Sequence, residues 1–149
     1  IIPDCVRAAV RCEDIIVRNP YSIRPYQHVL EPVCAYLMIA AEQYMDAEKA
    51  GSYNVGPDER DCYETGALTD LFVQYWGEGL KWKNIYDGGP HEANYLRLDC
   101  SKLKNVFDWK PKWDLERTMK ETVAWYKCWK SGGDVRLCME DQIRAFIEG

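Results

Sequence analysis

The residues best suited to chemistry lie in one short segment, residues 18–32, which contains two arginines, two tyrosines, a histidine and three prolines. Each proline lacks a backbone donor, fixes its own φ and pushes the preceding residue toward an extended backbone. We therefore predict a stiff, extended loop that presents cations and aromatic rings. The guanidinium of Arg24 would match two oxygens of a phosphate and stay charged. The segment is thus a candidate site for a phosphorylated ligand, and a solvated loop with ordinary salt bridges is the alternative.

The segment that leads into this loop belongs to the same candidate site. Ile15, Ile16 and Val17 are all β-branched, which favours a short strand. Such a strand would offer backbone groups and apolar surface to a flat ring. We therefore expect the strand and the loop to act together on one ligand.

Two histidines complete the set of candidates. His91 follows the pair Gly88-Gly89, which would let the backbone approach a ligand closely. It could donate to a phosphate or ribose oxygen, and a hairpin turn with a surface histidine is the alternative. His28, beside the apolar Val29, is predicted to be a buried, hydrogen-bonded structural residue. With so few histidines, a metal site is not expected.

The composition is that of a globular domain with 149 residues, 47% apolar residues, 29% charged residues and a net charge of −5. This charge argues against a nucleic-acid or anionic-membrane partner, so a phosphate site must be a local cluster of cations. The seven cysteines are scattered singly and form no C-x-x-C pair. We therefore expect reduced, mostly buried thiols in a cytoplasmic protein.

Several common catalytic motifs do not occur in the chain. No glycine-rich dinucleotide fingerprint follows a strand, and there is neither a P-loop nor a nucleophile elbow. The sequence therefore carries no motif that is typical of a bound dinucleotide, a P-loop nucleotide or a serine nucleophile.

The elements that must position these residues are predominantly helical. Apolar periodicity and capping residues predict helices near residues 3–12, 32–51, 65–77, 101–106, 114–132 and 135–147. Short strands are predicted at residues 15–17, 52–55, 81–86 and 93–98. This pattern indicates an α+β (mixed) fold with a small sheet.

One helix carries an apolar stripe that we expect to face a core. Its members recur at helical spacing: Val33, Tyr36, Leu37, Ala40, Ala41 and Tyr44. The chain also contains six tryptophans and ten tyrosines, and some of these rings could cover a surface meant for another domain.

Read together, several segments resemble one family. Residues 16–20, 24–32, 53–57, 90–102 and 107–113 are similar to the C-terminal half of the CDP-glucose 4,6-dehydratases, which belong to the extended short-chain dehydrogenase/reductases. The Arg-Pro-aromatic-Gln-His-Val-Leu-Glu-Pro run is the most specific of these signals, and the match covers essentially the whole chain.

The resemblance implies a division of labour between two domains. Residues 1–149 would be a single C-terminal sugar-nucleotide-binding domain of mixed fold, and the N-terminal Rossmann domain, which holds NAD and the catalytic residues, would be absent. The family converts CDP-glucose to a 4-keto-6-deoxy sugar in deoxysugar and O-antigen biosynthesis. This chain alone is expected to be inactive. A non-catalytic binding module, or the same domain of another sugar-nucleotide dehydratase or epimerase, remains the alternative.

The resemblance also implies site residues. Arg24 matches an arginine that contacts the diphosphate, and residues 15–17 match a strand along the nucleobase, with Arg18 and Asn19 at its exit. His91 lies near a second phosphate- or ribose-binding position. Glu31 is expected to cap its helix. The implied substrate-binding set is therefore Ile15, Val17, Arg18, Asn19, Arg24 and His91, with no metal ligand.

Overall fold

The computed structural model describes residues 1–85 and 94–149. In chain order, the elements in these ranges are α1 (Ile2–Arg11), β1 (Ile15–Val17), β2 (Ile23–Arg24), α2 (Leu30–Met45), β3 (Tyr63–Glu64), α3 (Thr65–Trp76), β4 (Trp82–Asn84), α4 (Ser101–Phe107), α5 (Leu115–Lys130) and α6 (Val135–Glu148). Short 3-10 turns cover Ala47–Lys49 and Glu59–Asp61. β1 lies parallel to β4, and β2 lies antiparallel to β3. The predicted α+β class is confirmed.

The two long C-terminal helices begin where the sequence places a capping aspartate. The carboxylate of Asp114 accepts a hydrogen bond from the N–H of Arg117 at 2.8 Å. The carboxylate of Asp134 accepts from the N–H groups of Arg136 and Leu137 at 3.0 and 3.1 Å. These bonds satisfy donors that have no partner inside the helix, so the capping residues fix where α5 and α6 start.

The main core lies between α1, β1, α3 and α5. Its buried members are Cys5, Val6, Ala9, Ile15, Val17, Leu68, Phe72, Trp76, Leu115, Met119 and Val123. Phe72 and Trp76 stack on α3 with ring centroids 5.4 Å apart. Because β1 contributes to this core, packing fixes the point at which the chain leaves β1.

Helix α2 buries one side and exposes the other. Ala35 packs with Leu103 and Trp109 in a second, smaller core. The stripe that was expected to face a core, Val33, Tyr36, Leu37, Ala40, Ala41 and Tyr44, is exposed instead, and we call it the α2 apolar face. Leu37 is 69% exposed and Tyr44 is 89% exposed. The prediction was wrong because periodicity identifies the apolar side of a helix but not the surface that covers it.

Two predicted strands are also absent from the described residues. Residues 52–55 form no strand. Of the predicted strand 93–98, the structure describes residues 94–98, where Tyr95 makes an isolated bridge to Ile23. Alternating residue types are therefore not sufficient for a strand, because a strand also needs a neighbour to pair with.

Helix α2 ends earlier than predicted. It stops at Met45, and not at Gly51, because Asp46 has an extended backbone. The carboxylate of Asp46 then accepts from the N–H of Glu48 at 3.0 Å and starts the short 3-10 turn that follows. An aspartate that bonds to the backbone two residues ahead competes with the helix in this way.

The cysteines differ from the prediction in their burial. All seven thiols are free, but only Cys5 and Cys100 are buried. Cys12 and Cys34 are exposed, so the expectation of mostly buried thiols was wrong.

Candidate functional site

β1 places its side chains on opposite sides of the strand. Ile15 and Val17 are buried in the main core, at 0% and 2% exposure, whereas Ile16 is exposed. The N–H of Ile15 donates to the carbonyl of Lys81 at 2.9 Å, and the carbonyl of Val17 accepts from Ile85 at 3.1 Å. The side chains of Ile15 and Val17 therefore anchor the strand, and it is the chain after Val17 that reaches the surface.

The loop after β1 is bound to the start of α3. The carbonyl of Pro20 accepts from the N–H of Gly66 at 2.8 Å, and the carbonyl of Ser22 accepts from the N–H of Thr65 at 2.9 Å. A Cβ atom at position 66 would lie 3.1 Å from the Cβ of Pro20. Glycine is therefore the residue that lets the loop approach the helix this closely.

Three hydroxyls, two on buried residues and one on the half-buried Tyr26, connect the same loop to α3. We call Ser22, Tyr26 and Thr65 the hydroxyl cluster. The Oγ1 of Thr65 lies 2.9 Å from both the Oγ of Ser22 and the hydroxyl of Tyr26, and it donates to the carbonyl of Ser22 at 3.0 Å. Glu64, and not Thr65, occupies the N-cap position of α3. The hydroxyl of Thr65 instead joins α3 to the loop.

Arg24 lies on β2, opposite Tyr63 of β3. Its side chain is half-buried, and Nη1 donates to the carbonyl of Ile23 at 2.9 Å. Arg18 is exposed and Asn19 is half-buried in the turn between β1 and β2, where the carbonyl of Asn19 accepts from the Oγ of Ser22 at 3.1 Å. The structure thus places these three residues on one continuous, pinned segment.

The remaining predicted residue, His91, lies outside the described residues. The assignment of the implied set to a substrate stays a prediction.

Sequence reasoning gave no role to a second arginine beside β2. Residues 94–96 flank Ile23, whose N–H donates to the carbonyl of Asn94 at 2.9 Å. The guanidinium of Arg97 stacks 4.6 Å from the ring centroid of Tyr95 and pairs with Glu59. The sequence signal for this pair is the spacing of Tyr95 and Arg97, because residues two apart in an extended segment lie on the same face.

Glu31 braces α2 against the segment before α5. Its carboxylate is 1% exposed and accepts from the N–H groups of Lys112 and Trp113, both at 2.8 Å. Burial raises the pKa of Glu31, and the two backbone bonds oppose that rise. Glu31 was expected to cap its own helix, but its oxygen satisfies donors 81 and 82 residues away in the chain.

His28 is buried beside this brace, which confirms its predicted structural role. Its ring centroid lies 4.8 Å from that of Trp113, and its Nδ1 accepts from the N–H of Leu30 at 3.3 Å. Burial lowers the pKa of His28, while Glu121 acts in the opposite direction. A neutral imidazole that caps the start of α2 fits both observations.

Tyr126 and Lys130 on α5 have the Tyr-x-x-x-Lys spacing of a catalytic pair in short-chain dehydrogenases. Tyr126 is half-buried and packs against the main core. The Nζ of Lys130 donates to Glu78 at 2.8 Å and lies 5.3 Å from the ring centroid of Trp76. Both side chains are therefore used in packing or in pairing on the α3–α5 side of the molecule.

Comparison with known proteins gives a clear relative. The chain is 38% identical over 148 residues to the CDP-glucose 4,6-dehydratase of Salmonella typhimurium. The resemblance to the CDP-glucose 4,6-dehydratases is confirmed. The match covers 99% of this chain but 41% of the CDP-glucose 4,6-dehydratase, so the chain spans well under half the length of this curated relative. No protein-family model matches the chain.

Solved structures show the same fold. A dTDP-glucose 4,6-dehydratase from Bacillus anthracis, in complex with NAD, matches 85% of this chain and 38% of its own length with a TM-score of 0.67 and 22% identity. A UDP-glucose 4-epimerase from Thermotoga maritima, with UDP-glucose, matches 83% of this chain and 38% of its own length with a TM-score of 0.61 and 22% identity. The described ranges contain no helix that is both long enough and apolar enough to cross a membrane.

Proposed function

We propose that this chain is the sugar-nucleotide-binding part of a CDP-glucose 4,6-dehydratase, a lyase that converts CDP-glucose to CDP-4-keto-6-deoxyglucose in the cytoplasm for deoxysugar and O-antigen biosynthesis. The observation that carries the proposal is the 38% identity to a CDP-glucose 4,6-dehydratase over 148 residues. The shared fold with other sugar-nucleotide enzymes supports it.

The loop after β1, residues 18–24, is held by its bonds to α3, and we call it the pinned loop. It gives this proposal a physical basis. Arg24 would bind the diphosphate, with Arg18 and Asn19 beside it at the exit of β1, and His91 would supply a second phosphate or ribose contact. Because the side chains of Ile15 and Val17 are buried, these residues would contact the base through their backbone groups. Because the hydroxyl cluster already fixes the loop, little conformational entropy would be lost when a ligand binds.

Under this proposal, the chemical steps would use groups that lie outside this chain. NAD would supply hydride transfer at the sugar, and the described residues contain no glycine-rich turn between a strand and a helix to hold it. We propose that NAD is bound by the larger part of the dehydratase, which corresponds to the part of the relative that this chain does not match. This chain would orient the substrate, because holding the nucleotide end fixes where the sugar can react.

The α2 apolar face fits the same arrangement. Large apolar side chains that are exposed along one helix face usually mark an interaction surface. The curated relative is more than twice as long as this chain, so a second part of comparable or larger size is available to cover the face. We therefore propose that the NAD-binding part packs on the α2 apolar face.

Binding can be measured by titrating CDP and CDP-glucose into the chain in a calorimeter. We expect binding that Arg24→Ala weakens at least ten-fold, because a charged, bidentate phosphate contact is lost. Arg136→Ala is a matched control, since Arg136 is an exposed arginine on α6 that pairs with Glu140. Equal affinities of the wild type and Arg24→Ala would contradict the assignment of Arg24.

The specificity for cytidine is tested by the same titration with UDP, GDP and dTDP. Tighter binding of one of these would favour another sugar-nucleotide dehydratase or epimerase, which is our second candidate because the solved neighbours act on such sugars. The chain alone, supplied with NAD and CDP-glucose, should form no 4-keto product. Product formation would show that catalytic residues are present here.

A further inference from the structure

Two cysteines lie side by side between the last two helices. Cys128 is near the end of α5, and Cys138 is in the second turn of α6. Both line one groove of about 520 Å³ between these helices. The Cys128 thiol is also near enough to Cys138 to help raise the pKa of Cys138. Neither thiol is engaged in a disulfide.

The turn between the helices holds this pair together. The N–H of Gly133 donates to the carbonyl of Cys128 at 2.9 Å, and the N–H of Cys138 donates to the carbonyl of Asp134 at 3.1 Å. A Cβ atom at position 133 would lie 2.8 Å from the sulfur of Cys128. The short connection and this close packing restrict where the Cys128 sulfur can lie.

We propose that Cys128 and Cys138 form a reversible disulfide that ties α6 to α5. Hydrogen peroxide takes two electrons and two protons from the two thiols, its O–O bond breaks as the S–S bond forms, and its two oxygens leave as two molecules of water. In a reducing compartment such a bond forms only transiently and is reduced by a thiol. This site is independent of the proposed sugar-nucleotide site.

The surroundings of Cys138 favour the protonated thiol. Burial, the neighbouring Cys128, Glu121 and Asp141 all raise the pKa of Cys138. Because the thiolate is the reactive form, oxidation should be slow at neutral pH and faster in alkaline buffer. Asp134 also lines the groove, so the charged side chains that line it, Glu121, Asp134 and Asp141, are all carboxylates.

A disulfide at this position would also affect the contacts that the far end of α6 makes with the rest of the fold. The Nζ of Lys112 donates to the carbonyls of Phe146 and Ile147 at 2.8 and 3.1 Å, near the end of α6. The N–H of Lys112 also binds Glu31 of α2. Fixing the start of α6 on α5 should therefore stabilise the contacts that its far end makes with the brace under α2.

The proposal is tested in the full chain carrying Cys12→Ser and Cys34→Ser, which remove the two exposed thiols. After treatment with hydrogen peroxide at pH 8.5, trypsin should release residues 128–130 linked to residues 137–144, with the loss of two hydrogen atoms. The melting temperature should rise, and dithiothreitol should reverse both changes. Further addition of Cys128→Ser should abolish the linked peptide and the rise.

Cys62 and Cys100 provide a comparison within the same sample. Each donates to a backbone carbonyl, that of Asp58 at 3.8 Å and that of Gly56 at 3.9 Å. They should remain open to alkylation after unfolding. Recovery of Cys128 and Cys138 as separately alkylated or oxidised residues, or either one linked to Cys62 or Cys100, would overturn the proposal.

Discussion

At the scale of single residues, the most consequential interaction outside the candidate site is made by Glu31. Its buried carboxylate accepts two backbone hydrogen bonds from Lys112 and Trp113. We expect Glu31→Gln to keep the fold, because an amide oxygen can accept the same bonds. Glu31→Ala should lower the free energy of unfolding by about 2 to 4 kcal/mol, since a buried donor on Trp113 and a partly buried donor on Lys112 lose their partner. Urea denaturation measures both, and equal losses would contradict this role.

His28 makes stability depend on pH in a definite direction. Burial lowers the pKa of His28 in the folded state, so the unfolded chain takes up a proton first as the pH falls below about 6.5. Stability contributed by neutral His28 is therefore complete above this pH and is lost as the pH falls toward the lowered pKa. The loss should not exceed about 1.4 kcal/mol per pH unit.

This pH dependence is measured by chemical denaturation between pH 7.5 and 5. His28→Asn should flatten the profile, because asparagine can still accept the N–H of Leu30 but does not titrate in this range. His91→Asn is the matched control and should retain the fall seen in the wild type. A profile that His28→Asn leaves unchanged would show that another group causes the fall.

At the scale of elements, α3 is what gives the candidate loop its shape. The hydroxyl of Thr65 reaches both Ser22 and Tyr26. We expect Thr65→Val to weaken CDP binding at least five-fold while α3 remains helical, because the loop loses its side-chain bonds to Thr65 but the helix keeps its own bonds. Thr65→Ser should bind nearly as the wild type does. Calorimetry and far-UV circular dichroism separate the two effects, and unaltered affinity in Thr65→Val would contradict the argument.

The helices were predictable from sequence, and the strands were predictable only in part. Asp114 and Asp134 lie at the starts of α5 and α6, where each carboxylate accepts a hydrogen bond from a backbone N–H three residues later. A cap of this kind can be seen in the sequence because both partners are close in the chain. The segment 52–55 has a similar local pattern but forms no strand, since pairing depends on distant residues. The pinned loop was predicted to be stiff, but the hydroxyl cluster that fixes it joins residues 43 positions apart and leaves no local signal.

The α2 apolar face is the element whose sequence prediction failed most informatively. Leu37 and Tyr44 have the spacing of core residues, yet they are exposed in this chain. We expect the chain to self-associate, and Leu37→Glu with Tyr44→Glu to make it monomeric at a cost of about 0.5 kcal/mol in the free energy of unfolding. Ile147→Glu is a matched control, because Ile147 on α6 is also 69% exposed.

Light scattering coupled to gel filtration measures this effect. The wild type and Ile147→Glu should elute above the monomer mass, and the double variant should elute at it. A monodisperse wild-type monomer would contradict the prediction. If Ile147→Glu alone restored the monomer, the self-associating surface would lie on α6 and not on α2.

At the scale of the whole molecule, the proposed anionic substrate would have to bind against the electrostatic repulsion of an acidic protein. The net charge is −5, so the general field repels a nucleotide sugar and only a local group of cations can hold it. Arg24 suits this role because a half-buried cation is screened less by water and salt than an exposed one. Under the proposed function, recognition of the substrate would therefore be concentrated in the segment around Arg24.

The same reasoning predicts what an extended chain would do. We expect a fusion that places the unmatched part of the Salmonella typhimurium relative ahead of Ile1 to convert CDP-glucose to a 4-keto product when NAD is added. Under the proposed function, the two parts would together supply the cofactor and substrate sites. In this fusion Arg24→Ala should raise KM, since it removes ground-state and transition-state binding alike. Leu37→Glu with Tyr44→Glu should lower kcat, because the reacting groups are no longer held in register. Equal turnover by the NAD-binding part alone would show that this chain does not position the substrate.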